Sequence, residues 1–232
     1  MNDRFARYGA ATGVLFVVLV VIAFLIQPTP PDSNATPAEV LGYFSDHRKA
    51  LHVDLLIFGA AALFFIWFIG TLRTALGAAE GGIGRLATTA YGGGLVSVAG
   101  LLVAFGLVAA AAMHPAENGP EVTRALNDAA AMVFAISAPA VVVFFTANSL
   151  SILRFGYLPS WLGWLGLATA LFNALGIGAV FTDHGVFAAD GVLGFFAGFV
   201  LFMLWFLLAS IMLTRRLGGD EAAAGRPVPA GV

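Results

Sequence analysis

The residues with the most chemistry in this chain are histidines and carboxylates placed at the ends of apolar runs. His52 and Asp54 stand at the head of one run, Asp128 at another, and His184 and Asp190 at a third, while His114 ends the run between the first two. Histidine with carboxylate suits Zn²⁺ or another divalent ion, and it also suits pH sensing. Together these six residues form a candidate polar pocket at one mouth of the protein. His52 and Asp54 are two positions apart, so a regular helix turns them about 200° from each other and they cannot serve one ion. A metal would therefore draw its ligands from separate helices, with His52, His114 and His184 as the set. Haem ligation by two of these histidines is a weaker alternative. The plainer explanation is helix capping, because acids at outward-facing N-termini satisfy free N–H groups and complement the helix dipole.

The elements that position these residues are membrane spans. Of 232 residues, 60% are hydrophobic and 10% charged, against about 25% charged in a soluble domain. The stretch YFSDHRKALHVDLLIFGAAALFFIWFIGTLR (43–73) sets the pattern: a polar lead-in, no charge from Leu55 to Leu72, then a stop at Arg73. A span needs about 20 apolar residues, and six stretches qualify, at about 8–26, 51–72, 89–113, 129–153, 161–181 and 191–213. The expected fold is an all-α, polytopic six-helix transmembrane bundle occupying 1–216, with a disordered cytoplasmic tail at 217–232.

Lysine and arginine give the orientation. With an uncleaved first span and the N-terminus inside, the cytoplasmic side holds eight basic residues and the outer side only Arg48, Lys49 and Arg124. Both termini are then cytoplasmic, in a multi-pass protein of the cell membrane. The outer side carries all four histidines and nine of the thirteen acids. Trp67, Trp161, Trp164 and Trp205 all fall in the cytoplasmic half and are expected to form an aromatic belt.

Pro28, Pro30 and Pro31 end the first helix. Thr36-Pro37-Ala38-Glu39 then has the form of a capped helix start. Val40, Leu41, Phe44 and His47 share a face, which predicts a short amphipathic helix on the outer surface. The stretch from His114 to about Asn127 is expected to be a polar outer loop, and Ala79 to Arg85 a Gly-rich connector. Pro139 is expected to kink the fourth span.

Small residues at four-residue spacing mark helix contacts, since they let backbones approach in lipid. Gly166, Ala170, Ala174 and Gly178 form one such ridge, Thr89, Gly93 and Ser97 a second, and Gly194 with Gly198 a pair. Asn173, near the middle of the fifth span, is expected to bond between helices. The span interiors hold no Asp, Glu, Lys, Arg or His, which argues against an ion pathway and an intramembrane hydrolase. There is no cysteine, so disulfides and Cys-ligated metals are excluded. The ten arginines against one lysine, with abundant Ala and Gly, read as a GC-rich bacterial source.

YFSDHRKAL, LFFIWFIGTLR, EGGIGRLA and LPSWLGWLG, in this order, resemble a broad group of uncharacterised six-span integral membrane proteins common in actinobacteria. The resemblance covers nearly the whole chain and supports the architecture. It carries over no catalytic or binding residue. The leading expectation for function is a non-enzymatic bundle that packs with membrane lipids, another membrane protein or itself, with no cofactor and no nucleic acid. The alternative is a metal- or small-ligand-binding protein, possibly an enzyme, with its site at the outer mouth. A small carrier ranks third.

Overall fold

The computed structural model describes residues 3–32, 34–177 and 197–224. Among these the protein is all-helical: α1 (Asp3–Ile26), α2 (Pro37–Asp46), α3 (Arg48–Ala79), α4 (Arg85–Met113), α5 (Pro115–Ile136), α6 (Ala138–Phe155), α7 (Ser160–Gly176) and α8 (Ala197–Ala224). Five helices are long and apolar enough to cross a membrane: Arg4–Ile26, Arg48–Ala79, Arg85–Met113, the joined Pro115–Phe155 and Ala197–Gly219. The helix α7 is described over 17 residues.

Six helices close a ring. In order, α1 packs on α3, α3 on α4, α4 on α6, α6 on α7, α7 on α8 and α8 back on α1. Aromatic rings fill the middle. Phe65, Phe144, Phe202 and Phe206 stack or tilt on one another, with Phe206 and Phe202 centred 4.7 Å apart and Phe144 and Phe206 5.5 Å apart. Trp205 is fully buried among them, and its indole N–H donates to the Leu162 carbonyl at 3.0 Å. It is thus a core residue and not part of an interfacial belt, whereas Trp67, Trp161 and Trp164 are all about half exposed or more. A buried indole needs a partner for its one donor, and α7 supplies it.

Glycines set how closely the helices approach. A Cβ at Gly13 would stand 2.8 Å from both Phe68 and Ser210 side chains, so α1 lies tight against α3 and α8. A Cβ at Gly93 would stand 2.8 Å from the Ala140 carbonyl and the Phe144 amide, so there the α4 and α6 backbones nearly touch. Gly166 faces Ser149 and Trp205 in the same way. Ser97 returns its hydroxyl to the Gly94 carbonyl of its own helix. Ala170 is buried in the core while Ala174 is exposed. Asn173 donates to the Thr169 carbonyl at 2.8 Å, within α7, and its amide lies beside Gly198 of α8. Gly178 and Gly194 lie outside the described residues.

Three stretches differ from their sequence reading. The polar segment after His114 is helical from Pro115, with one break at Gly119 (φ 74, ψ 170). It folds because its Thr123 side is fully buried, in a helix that packs against α2 and α4. The fourth span is interrupted at Ser137, and Pro139 sits in the first turn of α6, where its missing N–H costs no hydrogen bond. Helix α8 continues through 217–224, past the expected boundary of the folded region, with Gly218 packed against the Arg7 guanidinium. Residues 225–232 lie outside the described residues.

Candidate functional site

The two ends of the bundle differ in charge. At one end stand Arg4 and Arg7 of α1, Arg73 of α3, Arg85 of α4, Arg154 of α6 and Arg215 and Arg216 of α8. Packing brings these helix ends together: Phe5 meets Trp67 at 5.7 Å, and Arg216 donates to the Tyr157 carbonyl while stacking 4.2 Å over its ring. The opposite end holds α2, the start of α3, the end of α4 and the start of α5. It carries Glu39, Asp46, Asp54, Glu117, Glu121 and Asp128, against Arg48, Lys49 and Arg124.

At the acidic end α2 forms a lid. Thr36 and Glu39 complete a capping box: the Thr36 hydroxyl accepts from the Glu39 amide at 3.3 Å, and the Thr36 amide donates to the Glu39 carboxylate at 2.7 Å. These bonds, the backbone one first, hold the Glu39 carboxyl below its ordinary range. One face of α2 then buries Val40 and Phe44 against Leu51 of α3 and Ala111 and Ala112 of α4. Tyr43 is half-buried beside them and donates to the Pro28 carbonyl at 3.2 Å, tying the lid to the loop after α1. Burial, and secondarily the nearby Asp54 carboxyl, push the Tyr43 phenol up to about 12. His47 shares the helix but is exposed, its Nδ1 3.0 Å from the Tyr43 carbonyl, so it lies off the buried face.

Asp54 lies near this lid, on α3. It is only 3% exposed, and its Oδ1 has no hydrogen-bond partner. A buried acceptor left unmade costs about 1–3 kcal/mol, so the position is under tension. His52, two residues earlier, faces the other way; it is exposed, with Nδ1 2.6 Å from the Arg48 carbonyl. The 200° separation expected from the spacing is what separates the two residues.

The other candidates are dispersed. His114 forms the junction of α4 and α5, exposed, with Nδ1 3.8 Å from Glu117. Asp128 pairs with Arg124 at 3.5 Å on the α5 surface. His184 and Asp190 lie outside the described residues. Among the described residues, no group of three His, Cys, Asp or Glu side chains is placed to hold a metal ion.

The connector at the basic end carries an interaction that sequence reasoning missed. Glu80 caps α3, and its carboxylate reaches across the turn to accept from the Leu86 and Ala87 amides at 3.0 and 2.8 Å. It also accepts from the Ser151 hydroxyl of α6 at 3.0 Å. The turn needs left-handed backbone at Gly81 (φ 73) and Gly84 (φ 67), and Gly84 lies so close to Gly77 that a Cβ would stand 2.8 Å from its Cα. The legible signal was an acid followed by glycines just before a helix start. Its α6 partner had no signal.

No protein-family model matches the chain, nor does any curated protein or any solved structure.

Proposed function

We propose that this chain is a six-span integral membrane protein of the bacterial cell membrane. Its termini are cytoplasmic, and it acts without catalysis, by packing with lipids and with membrane partners. The observation that carries this is the distribution of apolar surface. Large aliphatic side chains stand exposed along the spans, among them Leu25 (76%), Leu56 (74%), Leu63 (69%) and Val96 (62%), while aromatic rings close the middle of the ring. Surface of this kind is stable only in an apolar solvent or against another apolar surface. In this reading α7 (Ser160–Gly176) is the fifth of the six spans and joins the five longer helices. The positive-inside bias assigns the arginine-rich end to the cytoplasm, which leaves the α2 lid outside. The aromatic filling disfavours a carrier, since carriers place polar groups or broken helices at mid-membrane.

The test is reconstitution of the purified chain in lipid nanodiscs, followed by mass spectrometry of whatever lipids and proteins remain bound. Recovery of defined lipids or a defined membrane partner supports the reading. Turnover of a small molecule by the same preparation would replace it.

One observation favours the second reading, a ligand site at the acidic mouth: the buried Asp54 oxygen without a partner. Metal analysis with a visible spectrum, beside a His52→Ala, Asp54→Asn variant, decides it. Stoichiometric zinc or a haem band that the variant loses would make the acidic end a cofactor site.

A further inference from the structure

The turn between α3 and α4 borders a half-open pocket of about 250 Å³ at the basic end. Its walls include Arg73 and Thr74 from the last turns of α3, Gly82, Ile83 and Gly84 from the turn, and Thr88 from the first turn of α4. No acidic residue lines it. The Arg73 guanidinium leans across the gap, 3.5 Å from the Thr88 hydroxyl and 5.7 Å from the centre of the Tyr91 ring. Glu80, the one acid in the α3–α4 turn, has its carboxylate engaged by the Leu86 and Ala87 amides and by Ser151. The amides of Gly82, Ile83 and Gly84 donate to no acceptor among the described residues. The Thr74 hydroxyl donates to the Gly70 carbonyl at 3.1 Å and is engaged within α3, but a guanidinium, the Thr88 hydroxyl and successive turn amides make a donor-rich concavity of the kind that takes a phosphate group.

Ile83 adds a second character. It is 90% exposed, the most exposed large hydrophobic side chain described, and it sits on the pocket's own rim. A soluble anion has no use for that side chain, whereas a phospholipid presents its phosphate and its acyl boundary together. We propose that this pocket binds the headgroup phosphate of an anionic phospholipid, with Ile83 set into the apolar boundary beside it. This rests on the membrane-spanning reading above. It goes further by naming a lipid class and the residues that hold it.

The test uses the full chain reconstituted with equal amounts of phosphatidylglycerol and phosphatidylcholine, with the retained lipids counted by native mass spectrometry. The native chain should retain phosphatidylglycerol preferentially. Arg73→Gln should reduce that preference about tenfold, as expected for the loss of one charge-assisted contact, without changing the thermal midpoint. Arg85→Gln removes an exposed charge at the same end but outside the pocket wall, and should leave the preference intact. If Arg85→Gln weakens it as much as Arg73→Gln, diffuse charge is responsible and the site is overturned. If inorganic phosphate displaces the lipid or raises the midpoint alone, the pocket takes a free anion and the lipid assignment is overturned. Alkaline extraction run in parallel separates the two levels. A chain released from vesicles fails the membrane reading itself, whereas a chain retained without lipid preference fails only the pocket.

Discussion

Glu80 and Ser151 are 71 residues apart in the chain and share a hydrogen bond of 3.0 Å. Through it the α3–α4 turn is fixed to α6, and the same carboxylate caps α4. Glu80→Ala removes three bonds at once and leaves the fully buried Ser151 hydroxyl without its acceptor. The expected cost is about 2–3 kcal/mol. Ser151→Ala should cost less, and the double variant should cost less than the sum, because the two residues act on one network. Unfolding midpoints in detergent measure all three.

The α2 lid should respond to pH at both extremes. Glu39 is held below the ordinary glutamate value by Thr36, so its contribution is complete above about pH 4.3 and fades as pH falls through the lowered folded value. Tyr43 is displaced the other way, to about 12. Its contribution is complete below about pH 10 and is lost as pH rises toward 12. Protection of the 37–46 amides, taken relative to the intrinsic exchange rate at each pH, should therefore fall at acid pH, and Thr36→Ala should lower it at neutral pH by about 1 kcal/mol of lost capping. Tyrosinate absorbance, compared with Tyr43→Phe, should show one phenol titrating late.

Phe44 and Asp54 should have opposite effects on stability. Phe44 is 1% exposed, and Phe44→Ala should cost about 3–5 kcal/mol, chiefly by freeing α2. Asp54→Leu replaces a buried oxygen that has no partner and should raise the unfolding midpoint. A lowered midpoint would mean that Asp54 has a stabilising partner.

Adjacent glycines on α4 separate packing from propensity. Gly93→Ala drives a Cβ into the backbone of α6, 2.8 Å from two of its atoms, and should cost about 1–3 kcal/mol. Gly92 has open space around its Cβ position, so Gly92→Ala should be neutral or stabilising by up to about 1 kcal/mol. Thermal denaturation of the two variants provides the comparison.

Much of the scaffold is written locally and could be read from the sequence. Thr36, Pro37 and Glu39 specify the start of α2 among themselves, and the long apolar runs specify the helices. What was not legible depends on partners distant in sequence. Trp67 and Trp205 sit in similar apolar runs, yet only Trp205 meets a carbonyl on α7 and is buried. The polar composition after His114 suggested a loop because the surface that buries Thr123 belongs to other helices. Asp54 could be named from its type but not from its environment, since its burial depends on the helices packed around it. Gly9 and Gly13 carry the four-residue spacing of a close contact, and the side chains of α3 and α8 that lie against them are distant in sequence.

The chain contains no cysteine, so single-cysteine reporters can map its sidedness without a background signal. Ser45→Cys on α2, Ala78→Cys beside the α3–α4 turn and Ala222→Cys near the end of α8 should be probed with a membrane-impermeant maleimide on intact cells and after lysis. Ser45→Cys should label on intact cells, and Ala78→Cys and Ala222→Cys only after lysis. Labelling of Ala78→Cys and Ser45→Cys from the same side, or of Ala222→Cys from outside, would contradict the six-span bundle with its arginine-rich end in the cytoplasm.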